Sequence, residues 1–381
     1  MTMRIGIAAS ELFTTNGVRE RVAKELIRAL IEVDTVNTYV LFSRHEPLPE
    51  FQNRERLKNV TVGGLSGFFW DQIALPKALK REKCEVLLNL GLTGPLKPKI
   101  PFIYILPYYW GNMLWDSLYG FGNFSYDKPT LYQRYISKKL IYSCNKLILS
   151  THFEKDNLVR RYFTDLPAEK LSVVQAGVTK CNSDSATLNE IELLRQKYNL
   201  KEQFILMIGS PNPLCNIQAG ILGYKRMVKE LTVGKPIVLV DIPKSEVVSL
   251  VDIEWFDQNK DKFVFLSNLT DREKTLLFKM ASVFIALSFY EKWCLNIMEA
   301  ISCGTPIVTT INSSLSEIAQ GAAILVDPKN PVEVSEAGRL VLIDKRCVAG
   351  LSKMGVERSM VYKWSNSALK LIGLLEGLVK H

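Results

Sequence analysis

Two carboxylates, Glu291 and Glu299, fall on either side of a loop–helix junction. Ser288 to Glu299 lies between two short β-branched runs, Val283 to Leu287 and Pro306 to Thr310. The pattern predicts strand, loop, helix, strand. Glu291 falls on the loop, Glu299 in the first turn of a helix starting near Asn296, and Gly304 and Pro306 stop that helix. Ligands of open parallel sheets sit where strands end and helices begin. A helix N-terminus carries free N–H groups and partial positive charge, which suits phosphate. A carboxylate does not favour phosphate, but it accepts hydrogen bonds from hydroxyls. Two carboxylates flanking a bound diphosphate therefore suit a sugar and a ribose. Plainer readings stand beside this one. Asn296 and Glu299 have the spacing of a capping box, and Glu291 alone reads as a solvated loop residue.

The elements around this stretch repeat one theme. Residues 3–8 read as a strand and 17–31 as an amphipathic helix, with Val18, Val22, Leu26, Ala29 and Leu30 at helical spacing. Strands follow at Tyr39 to Phe42, Val60 to Val62, Glu85 to Asn89, Pro101 to Ile105, Lys146 to Leu149 and Leu171 to Val174, with helices at Asp71 to Leu79 and 151–162. The polar run Thr179 to Ala186 reads as a linker. A second alternation has strands at Phe204 to Ile208, Pro236 to Val240, Phe263 to Leu266, Val283 to Leu287, Pro306 to Thr310 and Ala323 to Val326. An apolar helix, Tyr362 to Val379, ends the chain. Such alternation predicts mostly parallel sheets with helices on both faces. Two doubly wound α/β domains facing across a cleft are expected, and a small-molecule site between them.

Composition narrows the chemistry. The 381 residues are 47% hydrophobic and 23% charged, as in globular proteins. No apolar run approaches the roughly 20 residues of a membrane span, and the N-terminus reads as a buried strand, not a signal peptide. Seven scattered cysteines (Cys84, Cys144, Cys181, Cys215, Cys294, Cys303, Cys347) contain no CxxC pair. That predicts reduced thiols in a cytoplasmic protein, without a zinc site or disulfide framework. With only His45, His152 and His381, a His-rich metal site is excluded. The formal charge of +9 admits nucleic acid, an anionic membrane face or a phosphorylated substrate. No nucleic-acid motif is present, which makes that partner the weakest of the three.

From Ser288 to Pro306, and again at Asn312 to Ile318 and Ala322 to Pro328, the chain resembles the retaining glycosyltransferases of family 4, the group 1 glycosyltransferases of GT-B fold. Their pattern is Glu-Gly-Phe-Gly-Leu-Pro-x-x-Glu-Ala, a Cys-Gly-Thr-Pro turn, Ser-Ser-Leu-Pro-Glu-Val and a Leu-Val-Asp-Pro strand end. Met3 to Ile7, Gly17 before a helix, Lys170 to Val178 and Tyr362 to Trp364 extend the likeness over nearly the whole chain. The resemblance implies transfer of a sugar from a nucleotide-sugar to a glycan or lipid-linked acceptor, with retention and without a metal or other cofactor. It implies an acceptor-binding domain over 1–180, with Gly17 and either Arg19 or Arg21 at its site. A nucleotide-sugar domain would cover 181–361, and a helix over 362–381 would pack back on the first domain. Glu299 would take the ribose hydroxyls and Glu291 would lie by the donor sugar. Cys294, Leu295 and Asn296 would offer backbone N–H groups, with Lys292, Gly209 and Asn216 also at the donor site.

The departures cluster at the same place. Where the family carries an Arg-Lys pair for the phosphates, this chain has Leu214 and Cys215. Lys292 and Cys294 replace glycines, and Asn296 replaces a proline. Losing one preorganised charge contact costs roughly 3–4 kcal/mol, or 10²–10³ in rate. Two readings follow: an active enzyme with a modified donor site, or a catalytically silent relative that binds a glycan or partners an active enzyme. Lys292 either restores a cation or blocks the sugar subsite. Separately, 102–142 is crowded with aromatics and holds Lys138 and Lys139. It reads either as peripheral contact with an anionic inner membrane face or as core and acceptor-cleft lining.

Overall fold

The computed structural model describes residues 2–9, 17–46, 48–63, 67–112, 129–178, 187–230 and 234–379. The linker expected at Thr179 to Ala186 lies outside the described residues, as do Cys181, His381 and the aromatics Trp115, Tyr119, Phe121, Phe124 and Tyr126. The described residues form two compact units. One runs to Gly177 and resumes at Lys363, and the other spans Val178–Tyr362.

The first unit holds β1 (Arg4–Ala8), β2 (Thr38–Ser43), β3 (Leu57–Thr61), β4 (Val86–Asn89), β5 (Phe102–Ile105), β6 (Lys146–Leu149) and β7 (Leu171–Val173). They form one parallel sheet in the order β3-β2-β1-β4-β5-β6-β7. The central strands are near-continuous apolar runs because helices cover both faces. Ile5, Ile7, Val86, Leu87 and Leu88 are fully buried. The last helix, Trp364–Val379, packs on the first, Val18–Val33. Gly177 permits this docking: a Cβ there would stand 2.2 Å from the Trp364 backbone nitrogen. Three expectations shift. The helix expected at Asp71 to Leu79 opens in π-type turns, Trp70–Ala74, before its α-helical part, Leu75–Arg81. The third strand begins at Leu57 rather than Val60. The helix expected over 151–162 is wound mostly as wide π-type turns, Glu154–Val159, before three α-helical residues.

The second unit repeats the plan with β8 (Ile205–Ile208), β9 (Ile237–Val240), β10 (Phe263–Leu266), β11 (Val283–Ala286), β12 (Ile307–Thr310) and β13 (Ala323–Val326). Its parallel sheet runs β10-β9-β8-β11-β12-β13. The helices Ile217–Glu230 and Pro331–Ile343 pack together, and Gly223 would place a Cβ 2.6 Å from Val334. In both sheets the strand order reverses once, between β1 and β4 and between β8 and β11. Such switch points open a crevice at the carboxyl ends of the strands, where ligands of this architecture bind.

Candidate functional site

The loops after β8 and β11 border the switch point of the second sheet, and hydrogen bonds hold them together. Phe289 N–H donates to the Leu214 carbonyl at 2.8 Å. Asn216, in left-handed conformation at φ 48°, donates its side-chain amide to the carbonyls of Leu287 (3.1 Å) and Pro328 (2.8 Å). Gly209 follows β8, and a Cβ there would meet Ile217 at 3.0 Å. Thr310 Oγ1 donates to the Ser288 carbonyl at 3.2 Å. The Glu291 carbonyl accepts from Ser314 Oγ at 2.7 Å and from Cys294 Sγ at 3.2 Å. Sequence reasoning missed the hydroxyls of Thr310 and Ser314. The only signal for them was the small polar cluster that follows β12.

The loop turns into its helix through Cys294, which adopts φ 50° and ψ 33°. That left-handed step suits glycine, and here Cys294 occupies it fully buried. The helix then runs Leu295–Ser302. Cys294 is therefore the N-cap and Asn296 the second helical residue, so the capping-box reading of Asn296 and Glu299 fails. Glu299 is the fifth residue, beyond the first turn expected for it, and is 6% exposed. The first bond of the helix joins Met298 N–H to the Cys294 carbonyl. The N–H groups of Leu295, Asn296 and Ile297 precede it and have no acceptor within the helix.

Glu291 is half-buried, not the solvated loop residue that its position alone suggests. Burial, and then the charge of Glu299, raise its pKa to about 7. Lys292 is 6% exposed, with its ammonium 5.2 Å from the centre of the Trp293 ring. Leu214 is also 6% exposed. The Cys215 thiol pairs with Ser210 Oγ at 3.3 Å, and burial pushes its pKa up. Glu291, Lys292, Cys294, Leu295, Asn296, Glu299, Gly209 and Asn216 thus gather around one switch point. Gly17 and Arg19 belong to the other unit, at the start of its helix Val18–Val33 after β1. Gly17 has φ −85°, which needs no glycine. Among the described residues no group of three or more His, Cys, Asp or Glu is placed to hold a metal.

A second feature was not foreseen. Beside the Asn216 turn lies a cavity of about 510 Å³ lined by Asn212, Ile217, Glu246, Phe289, Pro328 and Lys329, among others.

Known proteins show what the chain is similar to. Residues 190–355 match the family model of glycosyl transferases group 1. The chain resembles the group 1 glycosyltransferases. The O-antigen chain mannosyltransferase B of Escherichia coli is 25% identical over 367 residues, covering 92% of this chain and 94% of that protein. The solved structure of WaaG, a glycosyltransferase involved in lipopolysaccharide biosynthesis, superposes with a TM-score of 0.70 at 13% identity, covering 98% of this chain and 100% of that one. Anabaena HepE in complex with UDP-glucose gives a TM-score of 0.71 at 13% identity, with 99% and 100% covered. The fold is GT-B. In this glycosyltransferase fold the loops around Glu291 and Glu299 belong to the second unit. No helix among the described residues is long and apolar enough to cross a membrane.

Proposed function

We propose that the chain is a retaining glycosyltransferase. It moves a mannosyl group from a nucleoside-diphosphate sugar to a lipid-linked or free glycan of a cell-surface polysaccharide. The observation that carries this is the pairing of Glu291 and Glu299 at the sheet switch point, beside unbonded N–H groups of a helix start. The similarity to an O-antigen chain mannosyltransferase supports mannose as the sugar. In the reaction the bond between the anomeric carbon and the phosphate oxygen breaks. The acceptor oxygen bonds to that carbon on the same face, and its proton leaves with the nucleoside diphosphate.

Each residue then has a task. Glu299 accepts hydrogen bonds from the ribose hydroxyls, and Glu291 lies by the donor sugar. The N–H groups of Cys294, Leu295 and Asn296 face the diphosphate. Gly209 lets the β8 loop approach the nucleotide, and Asn216 holds that loop to the β11 loop. Gly17 and Arg19 serve the acceptor. No metal is required, because protein cations and helix ends meet the charge of the leaving group.

The acceptor reading gains support from the helix Leu131–Ser143. Its outer face carries Leu131 (85% exposed) and Tyr135 (61% exposed) with Arg134, Lys138 and Lys139. The exposed Phe68 ring lies 6.3 Å from that of Tyr132 on the same helix. Apolar and aromatic side chains interleaved with cations suit an anionic lipid surface, so the protein works at the inner face of the membrane. The inward aromatics Phe102, Tyr104 and Tyr109 fill the core instead.

A silent relative is the second reading, favoured by Leu214 and Cys215. Thermal-shift titration with UDP, GDP and ADP tests both. Stabilisation by one of them is expected, and silence across all three ends the active reading.

A further inference from the structure

We propose that Lys292 is the cation that meets the diphosphate of the donor, taking over from the opposite loop the work that Leu214 and Cys215 cannot do. The inference rests on the donor-site reading above.

A leaving diphosphate gathers negative charge and needs preorganised positive charge close by. The β8 loop, Gly209 to Asn216, contains no cation. Its two relevant side chains are committed elsewhere: Leu214 is packed inside, and the Cys215 thiol is bonded to Ser210. The β11 loop, Ser288 to Asn296, contains one cation, Lys292. Phe289 N–H joins the two loops at the Leu214 carbonyl, so Lys292 stands on the partner strand-end of the same switch point.

Two other cations of this unit, Arg358 and Lys225, are bonded elsewhere. Arg358 directs Nε to the Ile318 carbonyl and a terminal nitrogen to the Glu317 carbonyl, both at 2.8 Å. Lys225 bonds the Val251 carbonyl and Asp252.

Burial gives Lys292 its significance. An ammonium taken out of water is costly unless charge or a π-face compensates it. The Trp293 ring supplies one such surface at 5.2 Å. Glu291 adjoins it in sequence, and Glu299 is buried as the fifth residue of the helix that follows the loop. The three side chains sum to one negative charge with Glu291 ionised and to zero with it protonated. Without Lys292 the β11 loop and the helix after it would present two carboxylates and no cation to a polyanion. A glycine at this position would leave that repulsion uncompensated.

The test uses the full chain and three variants, Lys292→Met, Lys292→Arg and Lys292→Gln. Calorimetric titration is run with whichever of UDP, GDP or ADP binds the parent most tightly, and with its parent nucleoside. Lys292→Met is expected to lower diphosphate affinity at least about tenfold and transfer rate about 10²–10³-fold, while nucleoside affinity stays within about twofold. Lys292→Arg should recover most of the loss. Should the Met variant fail to fold by circular dichroism, Lys292→Gln takes its place. A folded neutral variant that binds diphosphate as the parent does, or more tightly, overturns the role of Lys292 alone. A parent that binds none of the diphosphates overturns the donor-site reading, and this proposal with it.

Discussion

Glu291 and Glu299 are electrostatically coupled: the charge of buried Glu299 adds to burial in holding Glu291 at a pKa of about 7. The site therefore changes its charge near neutral pH.

This coupling has a stability signature. The pKa of Glu291 is raised on folding, from 4.5 to about 7. Its neutral form is the one the fold favours. Stability is thus fully present below about pH 4.5 and is lost as pH rises through about 7, by at most about 3 kcal/mol. Glu291→Gln should flatten that part of the profile. Urea denaturation of parent and variant between pH 5 and 8 checks it, and parallel profiles would contradict the raised pKa.

Glu299→Ala should act twice. It removes the acceptor proposed for the ribose hydroxyls, lowering nucleotide affinity about 10–100-fold, as loss of charged hydrogen bonds does. It also removes one cause of the high Glu291 pKa, so the pH dependence above should move to lower pH. Equal donor turnover by parent and variant would show that Glu299 does not carry this role.

Asn216 ties two loops through its amide nitrogen, donating to Leu287 and Pro328. Asn216→Ala takes this donor from the Leu287 and Pro328 carbonyls and should cost about 1–3 kcal/mol. Asn216→Asp should be worse, because a carboxylate would face two carbonyls. Chemical denaturation ranks the three proteins.

Gly177 has no room for a methyl group beside Trp364. Gly177→Ala should destabilise the first unit by about 1–3 kcal/mol through overpacking. Hydrogen exchange in the helix Trp364–Val379 should rise in this variant. Unchanged protection there would mean that the helix docks without this close approach.

Leu131, Tyr135, Lys138 and Lys139 should carry vesicle binding. Co-sedimentation with liposomes containing anionic lipid is expected at low salt, weakening as salt screens the lysines. Leu131→Ser with Tyr135→Ser should abolish it. Absence of binding by the parent at low salt removes the membrane contact.

Most of the fold was legible along the chain. Runs such as Phe204 to Ile208 and Pro236 to Val240 announce buried parallel strands, because both faces are covered and every side chain is apolar. The miss at Val60 has a plain cause. Leu57 and Val60 are buried on an edge strand whose intervening Lys58 is exposed, and one short alternation looks like a loop. The π-type turns at Glu154–Val159 are invisible to helical spacing, since their residues fit an α-helix equally well in one dimension.

The amino-acid sequence by itself determined the elements, the doubly wound plan and the stretch that carries Glu291 and Glu299, because these rest on local periodicity and on motifs contiguous in the chain. It also revealed the chemical substitutions Leu214, Cys215, Lys292 and Cys294. Only the tertiary structure decided how those residues are used. The helix starts after Cys294 because a left-handed turn stands there, which displaces Asn296 from the cap and Glu299 from the first turn. Burial of Glu291 and Lys292, and the bonds from the β8 and β12 loops that hold them, join residues far apart in sequence. Desolvation and charge coupling depend on that three-dimensional neighbourhood, so no spacing along the chain could have stated them.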